Sequence, residues 1–333
     1  MRIGIDAMGS DQAPVQEVKG ALASREFLGP GDRVVLVGDE KLIRGRLGQQ
    51  DGWERFIDVR HASQAIKMND TPVEALRAKP DSSLAVLVKM HKNGELDACI
   101  SAGNTGAYVA AAQMMLRRLP GVHRPGITII TPTYMGLVAI CDVGANVNCR
   151  PQHLHQYGVM GSVYLGAIGG VKNPRVGLLS IGQEDVKGND LVIRTHELMK
   201  ADPNLNFIGN VEGRDLFTGV CDVVVSDGFV GNVVLKLMEG MATGVIKAIL
   251  KEVATAMPDM ADVVRRVGGG VAAKYDYNEY GGAPLLGVSG ICIICHGASD
   301  YRGIKNAVRG AIDFSKRQVN QTIVDLLGQA KDN

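Results

Sequence analysis

Aromatic residues make up only 5% of this 333-residue chain, with a single tryptophan, while glycine is abundant at 42 residues. That balance argues against an all-β sandwich and suits a fold with many strand-to-helix turns. Neither sign of charge dominates: 36 basic residues stand against 35 acidic ones, for a net charge of +1. There is no general attraction to nucleic acid and no Lys/Arg tract to make a local one, so no nucleic-acid partner is expected. Long apolar runs are missing too. The opening stretch Met1 to Asp6 is too short for a signal peptide and no later run could span a bilayer, so the expectation is a soluble, cytoplasmic protein. The chain has no Gly-x-Gly-x-x-Gly after a strand, no Walker lysine loop, no Gly-x-Ser-x-Gly elbow and no His-Glu-x-x-His. Nothing demands a nucleotide, a serine nucleophile, a cofactor or a metal. Cys292-Ile-Ile-Cys295-His296 matches a haem-attachment pattern, but it reads as a buried strand in which residues three apart point to opposite faces. Small buried thiols are the better reading for most of the six cysteines.

What is present is one phrase that occurs twice. Asp97-Ala-Cys-Ile-Ser-Ala-Gly-Asn-Thr-Gly106 and Asp222-Val-Val-Val-Ser-Asp-Gly-Phe-Val-Gly231 share an Asp, a short apolar run and Ser-x-Gly-x-x-Gly at identical spacing. Each reads as a buried strand entering a glycine turn, followed by helical stretches over Ala107 to Arg118 and Asn232 to Ala256. A helix that starts at such a turn presents unpaired N–H groups and the positive end of its dipole, which makes two candidate anion sites, with phosphate the obvious guest. Any parallel α/β domain also turns its corners this way. Asn104 and Thr105 beside one turn, and Asp227 and Asn232 beside the other, favour function.

The rest of the chain alternates in the same manner. Strands are expected at Arg2 to Asp6, Arg33 to Gly38, Ile57 to Val59 and Arg175 to Ser180, with helices at Ser83 to Lys92 and Pro151 to Ile168 between them. Gly126 to Thr131 and Leu137 to Asp142 read as a hairpin, so the sheet is mixed. Tyr275 to Gly290 reads as a loop built on Gly281-Gly-Ala-Pro-Leu-Leu-Gly287, and the last strand, Ile291 to Cys295, leads into a closing helix to about Leu327. From Asn232 an apolar stripe at 234, 238, 241, 245, 249 and 253 runs to Pro258. It resumes at Met260, Val263, Val264 and Val267 until Gly268-Gly-Gly270. This is longer than one layer of a domain needs, and 232–267 is expected to be a projecting helical pair covered by something outside the subunit.

Seven motifs in order carry a resemblance. Ile5-Asp6-Ala-Met-Gly, Ser101-Ala-Gly103-Asn104-Thr105-Gly106-Ala, Asp142-Val-Gly-Ala-Asn146, Gly182 with Glu184 and Lys187-Gly188, Asp227-Gly228-Phe-Val-Gly231-Asn232, Gly281-Gly282-Ala-Pro-Leu-Leu-Gly287 and His296-Gly-x-Ser299 resemble the phosphate acyltransferase family of bacterial phospholipid synthesis. Ser10, Asn148 and Ser180 stand where that family usually has Gly, Asp and Asn. The resemblance implies a single three-layer α/β/α domain over residues 1–333 with a mixed, largely parallel sheet. It is akin to phosphotransacetylases and isocitrate-type dehydrogenases and usually forms a homodimer. It also implies transfer of a fatty acyl group from acyl carrier protein to inorganic phosphate.

That reaction matches the residue set. Phosphate is its own nucleophile and a thiol a tolerable leaving group, so positioning is most of the task. The turn amides near Ser101 to Gly106 and Gly228 to Gly231 would hold phosphate, Asn232 would donate to the thioester oxygen and Lys187 would supply a cation. Asp6, Asp142, Asn146, Gly182, Glu184, Asp227, Gly282, His296 and Ser299 complete the expected site. Each has a plainer role open to it: Lys187 as a solvated lysine, Asn232 as a helix cap, Asp142 and Asp227 as turn braces, His296 as a satisfied strand-end histidine. A dehydrogenase or short-chain phosphotransacetylase on the same scaffold, or a non-catalytic carrier-binding module, are the other readings. For the helical pair, the expected partners are a second subunit along the stripe and acidic carrier protein at Lys247, Lys251, Arg265 and Arg266. Loose contact of the tip with a membrane is compatible with the stripe. Four basic against three acidic side chains between Val245 and Val267 are too balanced for strong electrostatic attachment.

Overall fold

The computed structural model describes residues 1–329 other than Gln49 and Met257. In chain order the first half holds β1 (Arg2–Asp6), α1 (Val15–Ala23), β2 (Arg33–Gly38), α2 (Glu40–Leu47), β3 (Ile57–His61), α3 (Pro72–Ala78), α4 (Ser83–Lys92), β4 (Ala98–Ser101) and α5 (Thr105–Ala111). The second holds β5 (Gly126–Thr133), β6 (Gly136–Cys141), α6 (Pro151–Gly169), β7 (Val176–Leu179), α7 (Asp190–Ala201), β8 (Phe207–Val211) and β9 (Val223–Val225). Then come α8 (Gly228–Ala256), α9 (Ala261–Lys274), α10 (Tyr277–Tyr280), β10 (Ala283–Leu286), β11 (Cys292–Ile294), α11 (Tyr301–Lys316) and α12 (Val319–Gln329).

Among the described residues, eleven strands join one sheet in the order β3-β2-β1-β4-β11-β10-β5-β6-β9-β7-β8. It is two parallel sets that run in opposite senses. From β3 to β11 neighbours pair parallel, as do β6, β9, β7 and β8; the antiparallel pairs are β11–β10, β10–β5 and β5–β6. The strands are short runs of Val, Ile, Leu and Cys because helices cover both faces, and a strand buried on both sides needs no polar alternation. Val34 and Leu36 pack with Ile3, Ile5, Ile304 and Val308 under α1 and α11; Val35 and Val37 pack with Leu84, Leu87 and Tyr108 on the other face. In the second set Ala139 and Cys141 meet α6 through Leu154, Tyr157 and Met160, while Val138 and Ile140 face α8 through Leu235 and Met238. The result is the three-layer mixed sheet expected from the sequence.

Three elements differ from expectation. The stretch read as a loop at Tyr275 to Gly290 contains α10 and the strand β10, which joins the two sets. Its Pro284 and flanking glycines argue against a strand, yet β10 gives β11 and β5 only two register pairs each, so little of its edge needs a donor. The closing helix is two, because Gln318 takes a left-handed conformation at φ 52°. The helical pair is longer at both ends than expected, running from Gly228 to Lys274. Gly268 does not stop α9; a Cβ there would come within 2.2 Å of Leu250 Cδ2, so the glycine lets α9 lie close against α8, and packing overrides helix propensity.

At 29 residues α8 is about 44 Å long. Its first turns pack on the core through Val234, Leu235 and Met238. Beyond them Met241, Val245 and Ile249 are exposed, in line with Val233 and Leu237. No helix among the described residues is long and apolar enough to cross a membrane. The start of α8 is pinned: a Cβ on Gly231 would lie 1.9 Å from the Asp142 carbonyl oxygen, a backbone atom that cannot swing aside.

Two outcomes follow. Gly231→Ala should cost about 2–3 kcal/mol by overpacking, read as a lower urea midpoint; an unchanged midpoint would show that the loop after β6 is not fixed against α8. Gly268→Leu should part the helical pair locally, raising tryptic cleavage between residues 241 and 274 while the main melting transition moves by less than about 2 °C. Cleavage as slow as in the parent protein would show that α9 does not depend on this contact.

Candidate active site

The seam between the two parallel sets brings opposed strand ends together. Ile294 of β11 pairs with Ala283, and Leu285 pairs with Ile127, whose N–H donates to Asp142 Oδ1 at 3.0 Å. Ala283 and Leu285 are two residues apart, about 7 Å along the strand. The carboxyl ends of β4 and β11 therefore lie close to that of β6, and the crevice that open sheets form at strand ends becomes shared. A cleft of about 910 Å³ fills this place. Gly103, Thr105 and Gly106 line it from the first copy of the repeated phrase, Gly144 and Asn232 from the second set, Gly282 from β10's approach, and His296 and Ser299 from the loop after β11.

The two copies of the phrase have different local chemistry. In the first, Ser101 Oγ donates to Asp6 Oδ2 at 2.8 Å and accepts from Gly103 N–H at 3.1 Å. Asp6 also accepts from Met8 N–H, and burial pushes its carboxyl above the usual carboxylate range against the pull of its hydroxyl donors. Gly9 lies close beneath, where a Cβ would come within 2.8 Å of Gly103 N. Asn104 caps α5 by accepting from Ala107 N–H, while its Nδ2 donates to the carbonyls of Lys67, Met68 and Asp70. Tyr108 N–H takes the Asn104 carbonyl. The amides of Thr105 and Gly106 then remain without a hydrogen bond among the described residues, at a helix N-terminus facing the cleft.

The second copy is closed. Asp227 Oδ1 accepts from the N–H groups of Phe229 and Val230, Gly231 N–H donates to the Asp227 carbonyl, and Gly228 N–H donates to the Asn146 carbonyl. All four amides expected to hold phosphate are engaged, so this turn offers no backbone anion site. Asp142, fully buried, accepts from the N–H groups of Ile127, Gly144, Ala145 and Asn146 and from Asn146 Nδ2. Burial raises its carboxyl, and those donors oppose the rise. Asn146 Nδ2 reaches the Pro125 carbonyl and Tyr157 hydroxyl as well. Asp142, Asn146 and Asp227 are thus braces. Asn232 is no cap, since α8 begins at Gly228; it sits in the second turn beside Gly144, and its side chain has no hydrogen-bond partner among the described residues.

The remaining expected residues divide between cleft and rim. His296 Nδ1 accepts from Ala298 N–H at 3.2 Å, which leaves the hydrogen of the neutral ring on Nε2. Ser299 is buried at the start of α11. Gly182, Glu184 and Lys187 lie in the loop after β7, two strands from β6, outside the cleft lining. Glu184 and Lys187 are exposed, and the Lys187 carbonyl accepts from Ser180 Oγ. Lys247, Lys251, Arg265 and Arg266 are exposed on the helical pair, with Arg265 bound to Asp262. Several cleft residues escaped sequence reasoning, among them the charged Asp11, in the loop after β1, Glu239, Glu279, Arg309, Asp313 and Lys236, which lines the cleft one turn beyond Asn232. The i, i+4 spacing from Asn232 was the available signal. Cys292 and Cys295 fall on opposite faces of the sheet, and burial pushes both thiols up to about 12.

Comparison with known proteins identifies the family. A family model described as fatty acid synthesis protein matches residues 1–322. A phosphate acyltransferase of Geotalea uraniireducens is 46% identical over 330 residues, covering 98% of this chain and 94% of that protein. One of Geobacter sulfurreducens is 45% identical over 328 residues, with the same coverage. Among solved structures, a Streptococcus pyogenes phosphotransacetylase superposes at TM-score 0.59 with 15% identity over 100% of this chain and 94% of that one. A branched-chain phosphotransacylase from Enterococcus faecalis superposes at 0.57 with 14% identity, over 96% and 99%. At such identities the structures speak for the fold alone, while the sequence matches cover nearly the whole chain. The chain belongs to the fatty acid synthesis protein family and, with these relatives, to its phosphate acyltransferases, enzymes of acyl transfer to phosphate.

Proposed function

We propose that the acyl donor is a fatty acyl thioester of acyl carrier protein and that inorganic phosphate attacks it directly, with no covalent enzyme intermediate. One observation carries this: the amides of Thr105 and Gly106 and the side-chain amide of Asn232, all without partners among the described residues, line the same cleft. In this reading the helix N-terminus holds the phosphate. One phosphate oxygen forms a bond to the thioester carbon, the carbonyl oxygen becomes anionic against Asn232, and collapse breaks the C–S bond. The thiolate departs readily because a thiol pKa is near 8.5. An enzyme thiol is a poor alternative nucleophile, since the cleft cysteine, Cys295, is held protonated. Lys236 supplies the cation that lets dianion and oxyanion approach, a role for which Lys187, on the exposed loop after β7, is the competitor.

The exposed line Val233, Leu237, Met241, Val245 and Ile249 is the face we assign to a second copy of the chain, with a membrane surface as the competing occupant of the tip. Lys247, Lys251, Arg265 and Arg266 are assigned to the acidic carrier.

Loss of carrier thioester in the presence of phosphate, followed by mass analysis for acyl phosphate, tests the reaction. Asn232→Ala should lower kcat about 100-fold, the size of one lost oxyanion donor, and Lys236→Ala about 10-fold or more, with melting behaviour unchanged. Full turnover of Asn232→Ala removes the oxyanion role; a loss confined to Lys187→Ala transfers the cationic role to the loop after β7.

A further inference from the structure

The cleft is not only a polar crevice. Beyond Ile127 the strand β5 runs on for six residues, from Thr128 to Thr133, with β6 along one edge. On its other edge β10 has already turned away to β11 at Pro284 and Ala283. The sheet is therefore split between β5 and β10, and the cleft continues into the split. Ile129 and Ile130 are both lining residues. Alternate residues of a strand point to opposite faces: Ile129 packs with the cluster under α8, and Ile130 with the cluster under α6. A cavity lined by both passes through the plane of the sheet.

Below the sheet its walls are α6, through Ile168, and one face of α11, through Gly303, Asn306, Gly310 and Asp313. Those α11 positions fall at i, i+3, i+7 and i+10, a single stripe that starts beside Ser299 and spans about 15 Å. Arg309 lines the cavity as well. Its guanidinium lies 5.5 Å over the Phe27 ring and donates to the Glu279 carbonyl. At the far end Asp313 stands near the Tyr164 hydroxyl, which burial and that carboxylate push up. Opposite the open amides of Thr105 and Gly106, then, the cavity continues past the sheet, where Ile129, Ile130 and Ile168 share its wall with Asn306, Arg309 and Asp313.

Resting on the acyl-transfer reading, we propose that this passage through the β5/β10 split holds the hydrocarbon chain of the acyl group, and that its length along α11 sets the preference for long chains. A chain extends about 1.25 Å per carbon, from bonds of about 1.5 Å at near-tetrahedral angles, so 15 Å accommodates about twelve methylenes. Each methylene buried strengthens binding about fourfold, enough for a long chain to outbind a short one by orders of magnitude. Gly310 is the position that measures it. A Cβ there has nothing nearer than the Gly281 carbonyl oxygen at 3.9 Å, so a side chain at this helical site has room to fold and would occupy the passage midway.

The test compares kcat/KM for palmitoyl and hexanoyl carrier thioesters in the full-length enzyme, with acyl phosphate identified by mass. Gly310→Leu, and separately Ile168→Phe on the facing wall, should each lower the palmitoyl-to-hexanoyl ratio at least about 10-fold, while Gly310→Ala leaves it near the parent value. The hexanoyl rate reports whether each variant is folded. Two variants that make acyl phosphate with an unchanged ratio overturn the passage and leave acyl transfer standing. A parent enzyme that forms no acyl phosphate from either thioester overturns the reaction itself and this inference with it.

Discussion

Two register pairs hold the two halves of this sheet together. Leu285 with Ile127 and Leu286 with Gly126 are the whole ladder between β10 and β5, and the parallel sets on either side run in opposite senses. A longer ladder would carry the carboxyl ends of β4 and of β6 apart, and no common crevice would form. Because it is short, the turn at Gly103 to Gly106 and the side chain of Asn232 share one cleft. The same brevity leaves the edge of β5 unpaired beyond Ile127 and opens the passage toward α6 and α11. The shared cleft and the open edge of β5 are thus two consequences of one weak joint.

So short a joint needs support. Asp142 takes five hydrogen bonds from four residues, fixing the start of β5 and the loop after β6 at once, and Gly231 lets α8 rest on its carbonyl. Across the seam, Asp6 and Ser101 brace the other loop. Asp142 is spent on backbone and amide donors, and Asp6 on Ser101 Oγ and Met8 N–H, so both carboxylates serve the loops that carry the cleft. At the base of the helical pair, Arg302 binds Asp276, Glu279 and Asp300 together, so α9 returns to the core at a fixed point.

Much of this was legible in the residues. The strand-turn-helix phrases and the hairpin at 126–141 obey periodicities that survive in the fold, whereas the stripe on α8 divides, with Val234 and Met238 packed on the core and Met241, Val245 and Ile249 exposed. What could not be read depends on partners distant in sequence. Gly268-Gly-Gly270 looks like a helix stop until Leu250 is seen against it. Pro284 between glycines looks like a loop until two strands are found beside it. The two copies of Ser-x-Gly-x-x-Gly are alike in sequence, and they differ because Asp227 and Asn146 engage the amides of one while Asn104 leaves two amides of the other open. Lys187 carries the stronger local motif, yet Lys236 lines the cleft; only the helical spacing from Asn232 connects that lysine to the site.

The most direct measurement is a crystal structure of the enzyme with a non-hydrolysable long-chain acyl phosphonate. The phosphonate should accept from the amides of Thr105 and Gly106, with Asn232 facing the acyl carbonyl and the chain running between β5 and β10 toward Gly310. A phosphonate seated instead at the start of α8 or in the loop holding Lys187, with its chain outside the split, would contradict a shared cleft at the seam.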